Sequence, residues 1–207
     1  MPNRAPFQIA GHSVAPGSSL AVDLPVSILP DHTPVHLSLE IYHGKRPGPT
    51  MFVSAAVHGD EVIGVEITRR LLRAPQLSAL RGTLIVVPVV NSFGFLNRSR
   101  YLPDRRDLVV LTSPLRDGSL RAVAAKQGTP ILLYEAGEGL RFDEMAVRAG
   151  LAGILRVMRG QDMLPAKGIA RARSAPYICT ASHWLRAPAG GLLRTFRAEG
   201  ETVAEGE

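Results

Sequence analysis

The chain reads as a mixed, largely parallel α/β sheet flanked by helices, followed by a small, incomplete C-terminal β module. Three observations predict this. Val35 to Tyr42 alternates apolar and polar residues without a break, which marks a half-buried strand. Met51 to Val57 and Leu84 to Val90 are more evenly apolar, as strands covered on both faces are. Between them the pattern shifts to a helical period, and a strand, helix, strand order of this length predicts a βαβ unit with a parallel pair.

Taken in order, Gly44 to Pro49 is a turn between the first two strands. From Glu61, the residues Val62, Val65, Leu71 and Leu72 fall at helical spacing, with Arg69, Arg70 and Arg73 where basic side chains suit the negative pole of a helix; Pro75 ends it. Asn91 to Asp107 is a polar loop with four arginines, Arg98, Arg100, Arg105 and Arg106. Val109-Val110-Leu111 fits a short strand, Ser119 to Gln127 a helix, and Ile131 to Tyr134 another buried strand. Asp143 to Arg159 is a long helix whose apolar face is Val147, Leu151, Ile154, Leu155 and Met158, stopped at Gly160. Past Leu164 the texture becomes polar and basic, then short apolar pairs between glycines. The predicted division is therefore an incomplete α/β domain over 1–163 and a partial β module over 164–207.

Composition narrows the function classes. The 207 residues are 45% hydrophobic and 20% charged, an ordinary globular balance and not that of a disordered tail. Arginine supplies 21 of the 24 basic residues, and the net charge is +6. Forked guanidinium groups suit carboxylates and phosphates, so a small anionic substrate fits, although an arginine-rich surface needs no ligand to exist. The basic residues are spread along the chain and aromatics are only 5%, which speaks against nucleic acid. A single cysteine, Cys179, allows no intrachain disulfide. The longest clean apolar stretch, Leu84 to Val90, is too short to span a bilayer. With no apolar leader in Met1 to Leu20, the expected location is the cytoplasm, with no membrane partner.

Three segments can carry chemistry. In Val57-His58-Gly59-Asp60-Glu61, His58 and Glu61 lie three apart where a strand gives way to a helix, the edge of an open α/β sheet where ligands bind. A first helical turn brings both to one side, where an imidazole and a carboxylate can ligate zinc. The alternative is that Asp60 and Glu61 merely favour the helix N-terminus while His58 is a loop residue. Glu135 follows the apolar run Ile131 to Tyr134, so it too is expected at a strand end, as a general base whose pKa partial burial would raise; a surface glutamate in a turn has the same sequence. Asn91-Ser92-Phe93-Gly94-Phe95 with Arg98, Arg100 and Tyr101 follows the second parallel strand. An arginine there could grip a carboxylate or stabilise an oxyanion.

These segments occur together and in order, along with Tyr42 to Pro49, Arg100-Tyr101-Leu102-Pro103-Asp104, Tyr134 to Glu138 and Leu140-Arg141-Phe142-Asp143-Glu144. As a set they resemble the succinylglutamate desuccinylase/aspartoacylase family, relatives of the zinc carboxypeptidases. The resemblance implies a zinc-carboxypeptidase-like fold and a zinc-dependent deacylase cleaving an amide in an N-acyl amino acid or similar small molecule. It implies one zinc ion held by His58 and Glu61, Glu135 as the base toward water, Arg100 polarising the scissile carbonyl, and Asn91 and Arg100 binding substrate.

Two departures stand out. Members continue the Arg-Asp-Leu motif with an Asn-Arg pair that holds the substrate carboxylate, whereas Arg106-Asp107-Leu108 is followed here by Val109-Val110. The Leu-His-Thr-Gly-like segment that supplies the third zinc ligand is not found, and His12, His32, His36, His43 and His183 lack motif support for that role. An internal gap of tens of residues joined near Leu108 and Val109 accounts for both. The expected enzyme is therefore an impaired one; the alternative is a non-catalytic scaffold or interaction module that binds an anionic partner through its basic loop. Losing tens of residues from a sheet removes strands and exposes apolar edges. Self-association is the expected consequence: sedimentation velocity should show homo-oligomers at micromolar concentration, and a clean monomer with a cooperative melt would contradict it.

Overall fold

The computed structural model describes residues 4–28, 31–98 and 118–172, with 186, 188–191, 194, 196 and 203–205. Among the described residues six strands form two sheets. β1 (Phe7–Ile9) and β2 (His12–Val14) make a small antiparallel ribbon. β3 (Ser18–Ile28), β4 (Pro34–His43), β5 (Arg46–Ser54) and β6 (Arg81–Val87) form a four-stranded sheet in the order β3-β4-β6-β5. β3–β4 and β4–β6 are antiparallel, and β5–β6 is parallel. The expected βαβ unit is thus present as β5, α1 (Val62–Leu71) and β6. The sheet is mixed, as the sequence predicts, but parallel pairing is confined to that one pair among the described residues. Of the strands expected to extend it, Val109–Leu111 lies outside the described residues.

The other, Ile131–Tyr134, requires a correction: it joins no strand. Its aromatic anchor is used elsewhere. The Tyr134 hydroxyl donates to the Ala146 carbonyl at 2.7 Å, and the ring packs on Gly150, so the segment is held by the helices and not by a ladder. Burial, with the charge of Asp143 adding to it, pushes the Tyr134 hydroxyl pKa up.

β6 shows how the sequence divides the core. All of it after Arg81 is buried, and alternate residues go to opposite faces. Leu84 and Val86 face a cluster built from Leu71, Leu77, Leu80, Leu155, Met158 and Met163, which belong to α1, the 3-10 turn Pro75–Ala79 and α4 (Glu144–Gly160) with their flanking residues. Ile85 and Val87 face Val14, Val22, Leu39 and Ile41, with Phe7 and Ile9 of the ribbon against them. Helices therefore line one apolar cluster and the β1–β2 ribbon lines the other. Leu164 and Ile169 are also buried in the helix-side cluster, so the first residues past 163 pack with the sheet domain.

Element boundaries follow local chemistry. β6 ends at Val87 and not at Val90 because Pro88 has no N–H to give the ladder. α1 buries Ile63, Ile67 and Leu71, one helical stripe away from the expected Val62 and Val65. α4 starts at an N-cap, Asp143, whose carboxylate accepts from the amides of Met145 and Ala146. It stops not through Gly160 but through Asp162, which takes φ +56°. Met163 N then donates to Met158 O, and Asp162 N to Arg159 O, closing the turn in a Schellman arrangement with Met163 packed in the same cluster as Met158. The short helices α2 (Ser92–Leu96) and α3 (Leu120–Lys126) are capped by the side chains of Asn91 and Ser119.

His43 is a structural residue. It is buried, its ring nitrogens lie 2.9 Å from Thr83 Oγ1 and 3.0 Å from Ala5 O, and its ring lies against Phe7. It ties the N-terminal arm to the sheet, as does Arg4, which donates to the carbonyls of Gly44 and Gly82.

α1 and α4 are joined outside their apolar contact by an ionic chain. Arg70 donates to Glu66 on its own helix and to both carboxylate oxygens of Glu144, which also accepts from Arg148. Hydrogen bonds from Arg69 and Arg70 hold the Glu66 carboxyl down from 4.5 to about 2; those from Arg70 and Arg148 do the same for Glu144. A carboxylate whose folded pKa is depressed contributes stability above its unfolded pKa and loses it as pH falls toward the folded value. The contribution is therefore complete above pH 4.5 and drains away toward pH 2, and because these groups touch solvent it shrinks with salt. Thermal melts of wild type and Arg70→Gln across pH should differ at neutral pH and converge below pH 4.5. A gap that stays constant through acid would show that the ionic chain does not couple the helices.

Candidate active site at the carboxyl edge of the parallel strands

β5 and β6 run the same way, so their carboxyl ends share one edge of the sheet. The chain leaving β5 turns sharply. Ala56 is buried at φ +49°, a left-handed conformation that an alanine adopts only at a cost, and its carbonyl accepts from Asn91 N at 3.0 Å. Val90 N donates to Ala55 O at 2.9 Å, so the two strand-end loops are laced together by their backbones.

His58 and Glu61 come out of this turn side by side. His58 Nε2 is buried and lies 3.9 Å from Glu61 Oε1. Glu61 is the residue before α1 and makes no side-chain cap to it, leaving the carboxylate turned toward the histidine. Two donors on a tetrahedral zinc at about 2.0–2.1 Å stand roughly 3.4 Å apart. Closing 3.9 Å to that value takes only a small side-chain adjustment, so the pair fits as two ligands of one ion. Among the described residues no third histidine, cysteine or carboxylate joins them to complete a metal-binding group. The predicted pair is thus brought together, and the donor set stops at two within the described residues.

Gly59 explains why the loop sits where it does. A Cβ placed there would come within 1.9 Å of the Gly94 carbonyl carbon and 2.4 Å of Phe95 N. The backbone after His58 therefore lies directly on the first turn of α2. Asn91 holds that turn by accepting from Gly94 N at 2.8 Å. Its side-chain oxygen accepts the cap bond, and its amide nitrogen offers two further donors.

Glu135 is half-buried. The residues that follow it reach the same edge. Leu140 N donates to Asp60 O at 2.8 Å, a Cβ on Gly139 would stand 2.7 Å from Asp60 Oδ2, and Gly137 packs on Ile63. Sequence reasoning gave Asp60 no more than a place at the helix start. Its backbone and side chain both meet the segment carrying Glu135, and the only sequence hint was its place between His58 and Glu61. Within Leu140 to Glu144, Asp143 and Glu144 serve α4 as cap and ion-pair partner. Arg100, with Arg105 and Arg106 of the basic loop, and His183 lie outside the described residues; Arg98 is exposed at φ +51°. His12, His32 and His36 are exposed and far along the chain from the pair.

Residues 47–109 match the family model described as the succinylglutamate desuccinylase/aspartoacylase catalytic domain. The resemblance read from the motifs is borne out by this match and by the fold. The chain is similar to the product-bound ectoine utilization protein EutE (DoeB) of Ruegeria pomeroyi, with 16% identity, TM-score 0.61, and 78% of this chain and 71% of that one covered. It is similar to a succinylglutamate desuccinylase/aspartoacylase of Rhodobacter sphaeroides (18% identity, TM-score 0.53, 75% and 69% covered). A succinylglutamate desuccinylase of a Silicibacter species is also similar (15% identity, TM-score 0.59, 72% and 68% covered). Comparison with curated proteins gave no match. Among the described residues no helix is long and apolar enough to cross a membrane.

The contact of Gly59 with Gly94 leaves no room for a methyl group between two backbones. Gly59→Ala should cost about 2–3 kcal/mol in urea unfolding, the range for overpacking a rigid contact, and should weaken any metal bound by His58. A variant as stable as wild type would show that the two loops are not in contact.

Proposed function

We propose that this chain descends from zinc-dependent amide hydrolases acting on N-acyl amino acids or similar small anionic molecules, and that it is impaired in that reaction. The observation that carries the reading is the His58–Glu61 pair, 3.9 Å apart at the carboxyl edge of a parallel strand, inside the segment that matches the deacylase catalytic domain. The packing of Gly139 and Leu140 on Asp60 supports a role for Glu135 at the same edge.

His58 and Glu61 would hold the ion, which when bound supplies Lewis acidity to the carbonyl and acidity to a water. The remaining steps belong to the chain. The Glu135 carboxylate accepts a proton from the attacking water and returns it to the departing amine nitrogen. The Asn91 amide nitrogen and Arg100 orient the acyl amino acid, and Arg100 meets the charge growing on the carbonyl oxygen. The Ala56 turn keeps His58 and Glu61 in register with the loop after β6. Impairment follows from the donor count. A catalytic zinc site takes three protein ligands and a water, and here the sequence lacks both the third-ligand segment and the Asn-Arg pair after Leu108. Losing a desolvated charge partner for substrate costs several kcal/mol, on the order of 2–5.

Zinc competition against a chromogenic chelator, using the full chain, should show about one weakly held equivalent that is lost in His58→Ala and in Glu61→Ala. Glu135→Gln should keep that equivalent and remove residual hydrolysis of N-acyl amino acids by roughly 10²-fold or more. Undiminished zinc binding in His58→Ala, or hydrolysis indifferent to Glu135→Gln, would overturn the reading.

A further inference from the structure

The opposite edge of the sheet carries a second concentration of charge. Arg46 begins β5 and Arg81 begins β6, roughly 20 Å along the strands from the His58 edge. Arg159, in the last turn of α4, joins them around a cavity of about 330 Å³ that Asp162 also lines. A second cavity of about 590 Å³ shares Arg46 and Ala79 with the first and adds Lys45 and Arg73. Five cations from four stretches of chain, Lys45 and Arg46 being neighbours, thus surround two adjoining hollows that one carboxylate lines.

Other arginines of the molecule are ion-paired. Arg69, Arg70, Arg141 and Arg148 each hold a carboxylate at 2.9 Å or less. None of Lys45, Arg46, Arg73, Arg81 and Arg159 forms an ion pair among the described residues, and Asp162 stands beyond ion-pair distance of them. Arg159 is partly accounted for by the negative end of α4, and Arg81 reaches the Pro47 carbonyl at 3.4 Å. Neither contact neutralises charge. Cations gathered around a hollow repel one another unless an anion enters, and the volumes suit a small molecule.

We propose that this amino-edge hollow is a binding site for a small polyanion, recognised through the forked donors of Arg46, Arg81 and Arg159. The ligand class is a compound bearing phosphoryl or multiple carboxylate groups, which guanidinium groups bind with the same geometry. The site is separate from the proposed hydrolytic centre and does not depend on it.

The full chain is titrated by calorimetry and by thermal shift with inorganic phosphate and with citrate, against sodium chloride at equal ionic strength. Saturable binding and a rise in Tm beyond that in chloride are expected for at least one of them. A response to phosphate alone assigns a phosphoryl ligand, and a response to citrate alone a polycarboxylate. The Arg81→Gln/Arg159→Gln double variant, whose changes lie at exposed or half-exposed side chains and whose melt in chloride checks its folding, should bind at least about tenfold more weakly. His58→Ala should bind as wild type does. Equal responses in wild type and the double variant, loss of binding in His58→Ala, or an effect that chloride reproduces would overturn the site.

Discussion

The close approach of the Gly59 backbone to Gly94 governs what the carboxyl edge of this sheet can hold. Two loops that follow different strands are pressed together with no side chain between them. Hydrogen bonds from Asn91 to Ala56 and from Val90 to Ala55 lock the same pair of loops one step earlier. His58 and Glu61 lie on either side of Gly59 and Asp60, so the backbone contact sets where both residues leave the turn. That placement matters for the metal pair proposed above. Ligands placed by backbone packing are preorganised before an ion arrives, and the ion need not supply the cost of gathering them.

The rest of the molecule supports that edge from behind. β6 is buried along nearly its whole length because it has a layer on each face, the helices on one and the ribbon on the other. Its end point is thereby fixed in the interior, and the loops that leave β5 and β6 start from a rigid base. α1 begins just after Glu61 and is held along its length by Ile63 and Ile67 against Ala146 and Val147, then by the Arg70 chain to Glu144. α4 is anchored in turn by Met158 and Met163. α1 thus connects the helix pair to Glu61, the residue just before its first turn.

Much of this was legible in the amino-acid pattern. The strict alternation from Val35 to Tyr42 became β4, the helix over Asp143 to Arg159 became α4 with Asp143 as its cap, and Ser119 capped α3. Histidine and glutamate three apart at a strand end did come together. What the pattern concealed has physical causes. β3 carries Pro25 and a bulge before Ser27, and the ribbon strands are only three residues long, so neither gives a clear period. Ile131 to Tyr134 has the composition of a strand, but periodicity cannot tell a ladder from an extended segment whose tyrosine hydrogen-bonds a helix. Asp162 in a left-handed turn leaves no signature where glycine is the usual choice. The closeness of Asp60 to Gly139 is a tertiary contact that no local spacing encodes.

The central proposal is that His58 and Glu61 are held ready to share one divalent ion at this edge. X-ray diffraction from zinc-soaked crystals, recorded on both sides of the zinc absorption edge, tests it most directly. The account predicts one anomalous peak within bonding distance of His58 Nε2 and a Glu61 carboxylate oxygen. Crystals in which zinc occupies other histidines while that position gives no anomalous signal would contradict it.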